Sequence, residues 1–140
     1  MFLDTNILLS SRFLESPGSA SARRLLIGAV TASEPLRVSR QVLREYLAAS
    51  TRPQPWGSAR SMAEALTDIA WIQERFQILE DGPQVTAQLI VLCREVTLAD
   101  KQVHDANIVA TMLAHGERRL ATLNERDFRR YGDRIEIVGG

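Results

Sequence analysis

The sequence has little cysteine: Cys93 is the one thiol among its 140 residues. It therefore cannot form a disulfide within the chain, which is typical of a cytosolic protein. No apolar stretch approaches the about 18 residues that cross a membrane, and no basic segment precedes an apolar one at the start. We expect a cytoplasmic protein with no membrane partner. We also expect Cys93 to be a small core residue, because apolar residues precede it.

Three further absences exclude classes of site. With one cysteine and two histidines, a zinc site is disfavoured. No glycine-rich phosphate-binding loop is present, which excludes a nucleotide hydrolase of the P-loop kind. Asn6 stands where the dehalogenase-like phosphatases carry the second aspartate of their paired-aspartate strand motif. The sequence is therefore typical of none of these three classes.

The sequence also has no excess of charge, since 17 basic residues balance 17 acidic ones. The net charge by itself does not indicate a nucleic-acid partner. Among the basic residues only Lys101 is a lysine, and the others are arginines, which bind phosphate in a two-pronged manner. A GC-rich genome would give the same bias toward arginine. Phosphate binding and codon usage therefore both stay open as explanations of the arginine content.

The hydrophobic pattern predicts one α/β domain over residues 1–140, with helices flanking a mostly parallel sheet. Period-2 patterns and turn residues predict the strands, and apolar residues at helical spacing predict the helices. We expect strands at residues 2–8, 36–38, 76–79, 119–122 and 135–138. We expect helices at residues 19–32, 39–49 (with Ser39 as N-cap), 58–74, 84–95 (largely buried), 106–114 and 125–131.

Acidic and amide side chains follow the predicted strands. Asp4 follows the apolar start of the first strand, and Glu45 lies in the helix after the second. Asp105 lies at a helix start. Asn124 follows the strand at 119–122, with Asp127 one turn later. Because ligands bind at the carboxyl ends of parallel strands, we expect these groups to converge.

Crowded carboxylates repel one another unless they hold protons or a cation. Oxygen ligands suit Mg²⁺ or Mn²⁺, and such a site suits phosphoryl chemistry. Each acid also has a purely local interpretation. Asp4 could cap a turn, and Asp105 could complement the helix dipole. Glu45 could pair with Arg44 or Gln41 on a solvated helix face, and Asp127 could be a cap or a salt-bridge partner of a nearby arginine. For His104 both a general base and a structural or exposed role stay open.

Four segments resemble the PIN-domain proteins, specifically the VapC-type toxin ribonucleases of toxin–antitoxin pairs. They are residues 2–7 (FLDTNI), 39–45 (SRQVLRE), 103–110 (VHDANIVA) and 120–128 (LATLNERDF). The resemblance implies a PIN-like three-layer domain with a central, mostly parallel sheet flanked by helices. It also implies an Mg²⁺- or Mn²⁺-dependent endoribonuclease, a homodimer and a cognate antitoxin that blocks the acidic pocket.

The resemblance implies roles for individual residues. Asp4, Glu45 and Asp105 are the expected catalytic residues and metal ligands. Many relatives carry an acid where Asn124 stands, so either Asp127 supplies the fourth carboxylate or the site has three acids and an amide. Supporting donors are expected at Thr5, Asn6 and Thr122, and RNA contacts at Arg40, Arg44, Arg126, Arg129 and Arg130. The alternative is a catalytically weak PIN-like module that binds RNA or protein, with Asn124 as the mark of decay.

Overall fold

A five-stranded sheet forms the centre of the molecule in the computed structural model, which describes residues 1–139. All neighbouring strands are parallel, in the order β3-β2-β1-β4-β5. The strands are β1 (Phe2–Leu3), β2 (Arg37–Ser39), β3 (Gln77–Leu79), β4 (Arg119–Thr122) and β5 (Glu136–Gly139). The predicted α/β class with a parallel sheet is confirmed. Gly140, the last residue of the predicted domain, lies outside the described residues, and the single domain itself stays a prediction.

Helices flank this sheet and complete the three layers. They are α1 (Thr5–Arg12), α2 (Ser19–Thr31), α3 (Arg40–Ser50), α4 (Met62–Arg75), α5 (Pro83–Glu95), α6 (Gln102–Ala114) and α7 (Glu125–Phe128), followed by a 3₁₀ turn at Arg129–Tyr131. Inward-facing side chains of the central strands, such as Phe2, Val38 and Leu120, are fully buried between the layers. Within residues 1–139, no helix combines the length and apolar character needed to cross a membrane.

The strand order creates a switch point beside β1. The chain leaves β1 toward β2 and β3 on one side, then crosses to β4 and β5 on the other. The carboxyl ends of β1 and its two neighbours therefore meet around Asp4, the residue that follows β1. In open α/β sheets this position is where ligands bind.

The predicted strand at residues 2–8 is wrong beyond Leu3. The Asp4 backbone N–H donates to the Ala121 carbonyl oxygen at 3.0 Å, which is the last sheet bond of this segment. The Asp4 carboxylate then caps α1 by accepting from the Thr5 N–H at 2.7 Å. Ile7 and Leu8 form the buried face of a helix. An apolar run this short fits either element, and the cap decides for the helix.

Helix boundaries differ from prediction where caps intervene. The helix expected from residue 58 begins at Met62, because Ser61 and Glu64 form a capping box. The helix expected from residue 106 begins at Gln102, which places Asp105 in its first turn. The last predicted helix divides into α7 and the 3₁₀ turn. The helix at 19–32 and the Ser39 N-cap of α3 are confirmed.

Helix α5 is less buried than its apolar sequence predicts. Val85 and Leu92 are buried, but Ile90 and Val91 are 46% and 41% exposed. Cys93 is exposed, so its predicted place in the core is wrong. The reason is that α5 packs one face against its neighbour α6 and leaves the rest of its surface to solvent.

Candidate active site

Four carboxylates are grouped at the carboxyl edge of the sheet, and we call Asp4, Glu45, Asp105 and Asp127 the acid cluster. The pKa of Asp4 is raised to about 6, mainly by burial and to a smaller extent by the charges of Asp105 and Glu45, which together outweigh the hydrogen bonds from Thr122 and Thr5 that lower it. The pKa of Asp105 is also raised, first by burial and then by the charges of Asp127 and Glu45. The structure thus brings together acids from four separate segments of the chain.

Three neighbouring groups hold the Asp4 carboxylate in place. Its Oδ1 accepts from the Thr5 N–H at 2.7 Å. Its Oδ2 accepts from the Asn6 Nδ2 at 2.9 Å and from the Thr122 hydroxyl at 2.7 Å. Asn6 is fixed in turn, because its Oδ1 accepts from the Leu123 N–H at 3.0 Å. Asn6 and Thr122, both predicted as supporting residues, therefore contact Asp4 directly.

Neutral side chains hold Glu45. Its Oε2 accepts from the Thr5 hydroxyl at 2.8 Å, and its Oε1 accepts from the Gln41 Nε2 at 2.9 Å. Gln41 also donates to the His104 carbonyl oxygen at 2.9 Å and accepts from the Asn107 Nδ2 at 2.8 Å. The sequence indicates Gln41 only as a partner of Glu45 on a solvated helix face, and it predicts neither Gln41 nor Asn107 as a site residue. The available signal was the spacing of four between Gln41 and Glu45, which puts both on one helix face.

No basic side chain forms a close ion pair with the acid cluster within the described chain. Among residues 1–139, no basic nitrogen lies within 4.0 Å of a carboxylate oxygen of the cluster. Buried Asp68, by contrast, pairs with Arg12 at 2.7 Å. Uncompensated carboxylates at close quarters raise one another's pKa and favour the binding of a cation.

The two predicted fourth ligands are both exposed. Asn124 precedes α7, its side chain makes no capping hydrogen bond, and its N–H donates to the Thr122 hydroxyl at 3.0 Å. Asp127 lies within α7, near enough to Asp105 for its charge to raise the pKa of that acid. His104 is exposed, and its carbonyl oxygen rather than its ring contacts Gln41.

The arginines predicted to bind RNA differ in their surroundings. Arg40 is paired with Glu80, with Nε and Nη2 at 2.9 and 2.6 Å from the two carboxylate oxygens. Arg130 lies near the acid cluster, because its charge lowers the pKa of Asp105. The remaining three, Arg44, Arg126 and Arg129, are exposed. Of the five, Arg130 is the one that the electrostatics place beside the cluster.

The donor chemistry of the cluster fits a hard divalent cation. Every functional atom is a carboxylate, amide or hydroxyl oxygen, which are the ligands that Mg²⁺ and Mn²⁺ prefer. Across the part of the chain that the structure describes, no three acidic, histidine or cysteine side chains lie close enough together to surround an ion as they stand. The fit of the cluster to such a cation therefore rests on the type of its donor atoms and on the negative charge of its four acids.

The sequence matches the profile of the PIN domain family over residues 1–134. No curated protein matches it at the sequence level. Solved structures are similar in fold. VapBC2 from Rickettsia felis, bound to a DNA fragment from their promoter, shares 16% identity at a TM-score of 0.69, with 99% of this chain and 97% of that chain covered.

Two further structures agree with this likeness. VapBC-1 from nontypeable Haemophilus influenzae shares 17% identity at a TM-score of 0.67, with 99% of this chain and 96% of that chain covered. VapC20 from Mycobacterium tuberculosis, a sarcin-ricin loop cleaving toxin, shares 18% identity at a TM-score of 0.63, with 85% of each chain covered. At such identities the likeness establishes a shared fold.

Proposed function

The chain belongs to the PIN domain family, and from this premise we propose that it is a divalent-metal-dependent endoribonuclease, the toxin of a toxin–antitoxin pair acting in the cytoplasm. The observation that carries the proposal is the acid cluster, which lies at the switch point of the sheet and has no basic nitrogen within 4.0 Å of its carboxylates among residues 1–139. The buried Asp4, with a pKa raised to about 6, is its innermost member. Clustered acids with perturbed pKa values in such a position are typical of functional sites.

Asp4, Glu45 and Asp105 would hold the cation, Mg²⁺ or Mn²⁺. Either Asn124 or Asp127 would complete the set, and both residues lie at the exposed side of the site. When bound, such an ion offsets the charge that develops on a phosphodiester and lowers the pKa of water. The acids themselves supply fixed negative charge that selects a cation for this position.

The surrounding polar residues keep the carboxylates ready to bind. Asn6 and Thr122 fix Asp4, and the Thr5 hydroxyl fixes Glu45. Such donors restrict the rotation of the ligands, so less ordering is needed when a cation arrives. Arg130, beside Asp105, is placed to attract an RNA phosphate to an otherwise acidic edge. Arg40 would first have to leave Glu80.

We also propose a cognate antitoxin as partner, and a homodimer. The antitoxin is supported by the fold shared with chains named as VapBC, and by a cluster of acids that a cationic side chain of a partner could neutralise. The homodimer is supported by the apolar surface of α5, where Ile90 and Val91 stand exposed.

The test is RNA cleavage by the purified chain with and without Mg²⁺ or Mn²⁺. Cleavage should require the cation. Asp105→Asn should abolish cleavage, because one carboxylate of the cluster loses its charge, and circular dichroism should show that the variant keeps its fold. Glu74→Gln, at an exposed residue of α4 that pairs with Arg75, is the matched control and should cleave as the parent does.

The alternative of a binding module gives a different result. Asn124 brings no charge to a position where many relatives carry an acid, which favours weakened metal affinity. RNA binding that persists in chelator, with no cleavage at any Mg²⁺ concentration, would support the module and reject the nuclease.

A further inference from the structure

Gln41 is a buried amide that links two acids of the cluster. It lies one helical turn before Glu45 in α3, and it is 6% exposed. We propose that Gln41 is a positioning residue that fixes the Glu45 carboxylate relative to Asp105. The inference rests on the proposed function in one respect: it takes Glu45 as a cation ligand.

The amide of Gln41 has a single possible orientation. Its nitrogen donates both to the Glu45 Oε1 at 2.9 Å and to the His104 carbonyl oxygen at 2.9 Å. Its oxygen accepts from the Asn107 Nδ2 at 2.8 Å, and that same nitrogen lies 3.2 Å from the Asp81 Oδ2. A reversed amide would face Glu45 and the carbonyl with an acceptor. Every hydrogen-bonding atom of Gln41 is therefore satisfied in one arrangement.

This arrangement couples α3 to α6. The His104 carbonyl belongs to the residue directly before Asp105, so one amide group ties the Glu45 side chain to the backbone that carries Asp105. Asn107, one turn into α6, locks the other end of the amide. The separation of the two acids is thus set by Gln41 and not only by their own side-chain rotamers.

Glu45 needs this restraint because, among residues 1–139, Gln41 supplies the one hydrogen bond that its Oε1 accepts. It has no basic partner within 4.0 Å among residues 1–139, and the negative charges of Asp4 and Asp105 lie close by. Without Gln41, the Thr5 hydroxyl alone would hold a flexible side chain that repulsion drives toward solvent. A displaced Glu45 would weaken cation binding, and loss of such an orienting hydrogen bond typically costs about 10- to 100-fold in metal affinity.

The decisive variant is Gln41→Met, which keeps the length and bulk of the side chain and removes its hydrogen bonds. We expect the Mn²⁺ dissociation constant, measured by electron paramagnetic resonance titration, to rise about 10- to 100-fold. RNA cleavage should recover at high Mg²⁺, because affinity rather than chemistry is impaired. A metal-free crystal structure should show the Glu45 carboxylate withdrawn from the Thr5 hydroxyl.

Gln54→Met is the matched control. Gln54 also donates its amide to a backbone carbonyl, that of Ala49 at 2.6 Å, but in the loop beyond α3. This variant should lose some stability and keep the parent's Mn²⁺ affinity. Asn107→Ser is the second variant, in case Gln41→Met fails to fold. It frees the Gln41 oxygen and should weaken Mn²⁺ binding by a smaller factor that does not add to that of Gln41→Met.

Two results would overturn the inference. One is a Gln41→Met structure in which Glu45 still accepts from Thr5 at hydrogen-bond distance. The other is an unchanged Mn²⁺ affinity in Gln41→Met, or in Asn107→Ser if only that variant folds. If the parent chain binds no Mn²⁺ at all, the proposed function fails, and the metal-free structures still decide whether Gln41 positions Glu45.

Discussion

Asp4 serves two purposes with one carboxylate. It caps α1 through the Thr5 N–H, and it forms the buried end of the acid cluster. The hydrogen bonds from Asn6 and Thr122 favour its charged form, yet burial outweighs them and leaves its pKa at about 6. Keeping this carboxylate ionised at neutral pH therefore costs folding free energy, which is typical of a residue retained for its chemistry.

The first prediction concerns Asp4→Asn in chelator. The pKa of Asp4 rises from 3.8 to about 6 on folding, so its contribution to stability is complete below pH 3.8 and is lost as the pH rises through about 6. A shift of this size corresponds to about 3 kcal/mol. Asparagine does not titrate. The free energy of unfolding of the variant relative to the parent should therefore increase by about 2.4 kcal/mol between about pH 4 and pH 8, since the unfolded parent is already partly ionised at pH 4.

Urea denaturation across this pH range measures the effect. The Asn side chain places an N–H against the Asn6 amide, which lowers the stability of the variant at every pH and leaves the trend unaltered. Asp100→Asn, at an exposed residue, is the control for the loss of a carboxylate that the fold does not bury. A pH dependence for Asp4→Asn no steeper than that of this control would show that Asp4 is not destabilised by burial.

At single residues, the sequence indicated the charged members of the site and the neutral donors Thr5, Asn6 and Thr122, but it missed the part played by the amides of Gln41 and Asn107. Asp4, Glu45 and Asp105 stand out because a carboxylate beside a buried strand or at a helix start is costly to bury unless it has a partner or a bound cation. Gln41 and Asn107 do not stand out, because an amide on a helix is ordinary until its partners are known. Those partners lie 63 and 66 residues away along the chain.

At the level of the secondary-structure elements, the buried acid Asp68, which is not part of the acid cluster, joins three helices. Asp68 of α4 accepts from Arg12 of α1 at 2.7 Å and from the Tyr46 hydroxyl of α3 at 2.6 Å. Arg60, in the loop before α4, lies 3.1 Å from the same carboxylate. Burial and the neighbouring Asp68 charge raise the pKa of Tyr46, so its hydroxyl remains a donor. The three helices are thereby held together at the end of α1.

The prediction at this scale is that Asp68→Asn destabilises the fold. The change leaves two arginines without their buried partner, and breaking such a pair costs about 3–5 kcal/mol when both groups are buried. Because Arg12 is 35% exposed and keeps some hydration, we expect about 2–3 kcal/mol in urea denaturation. Glu74→Gln removes an exposed pair with Arg75 and should cost no more than about 1 kcal/mol. Equal costs for the two variants would contradict the assigned role of Asp68.

Most elements could be predicted from periodicity, and the errors have common physical causes. The strand at 2–8 failed because a short apolar run suits a strand or a helix face equally. The start of α4 was placed too early, since the decisive signal was the reciprocal bond of Ser61 and Glu64. The burial of α5 was overestimated because apolar content does not reveal how much of a helix its neighbours cover.

At the scale of the whole molecule, topology assembles the site. The bond from Thr122 to Asp4 joins residues 118 positions apart, and it exists because β1 and β4 are neighbours. The sequence could predict alternating strands and helices and a mostly parallel sheet, but not the order of the strands within that sheet. A chain with no net charge thus concentrates four acids, none of them in a close ion pair among residues 1–139, at one edge of its sheet.

The last prediction concerns the partner proposed for this edge. An arginine of an antitoxin could occupy the acid cluster, because crowded carboxylates bind a two-pronged guanidinium as they bind a divalent cation. Complex formation and cation binding should then be mutually exclusive. Titrating Mg²⁺ into a preformed complex should release the antitoxin, and by linkage the complex should bind Mn²⁺ more weakly than the free chain does. Asp105→Asn should weaken both equilibria, since it removes charge that both ligands use. A complex indifferent to Mg²⁺ over several decades of concentration would place the antitoxin elsewhere on the molecule.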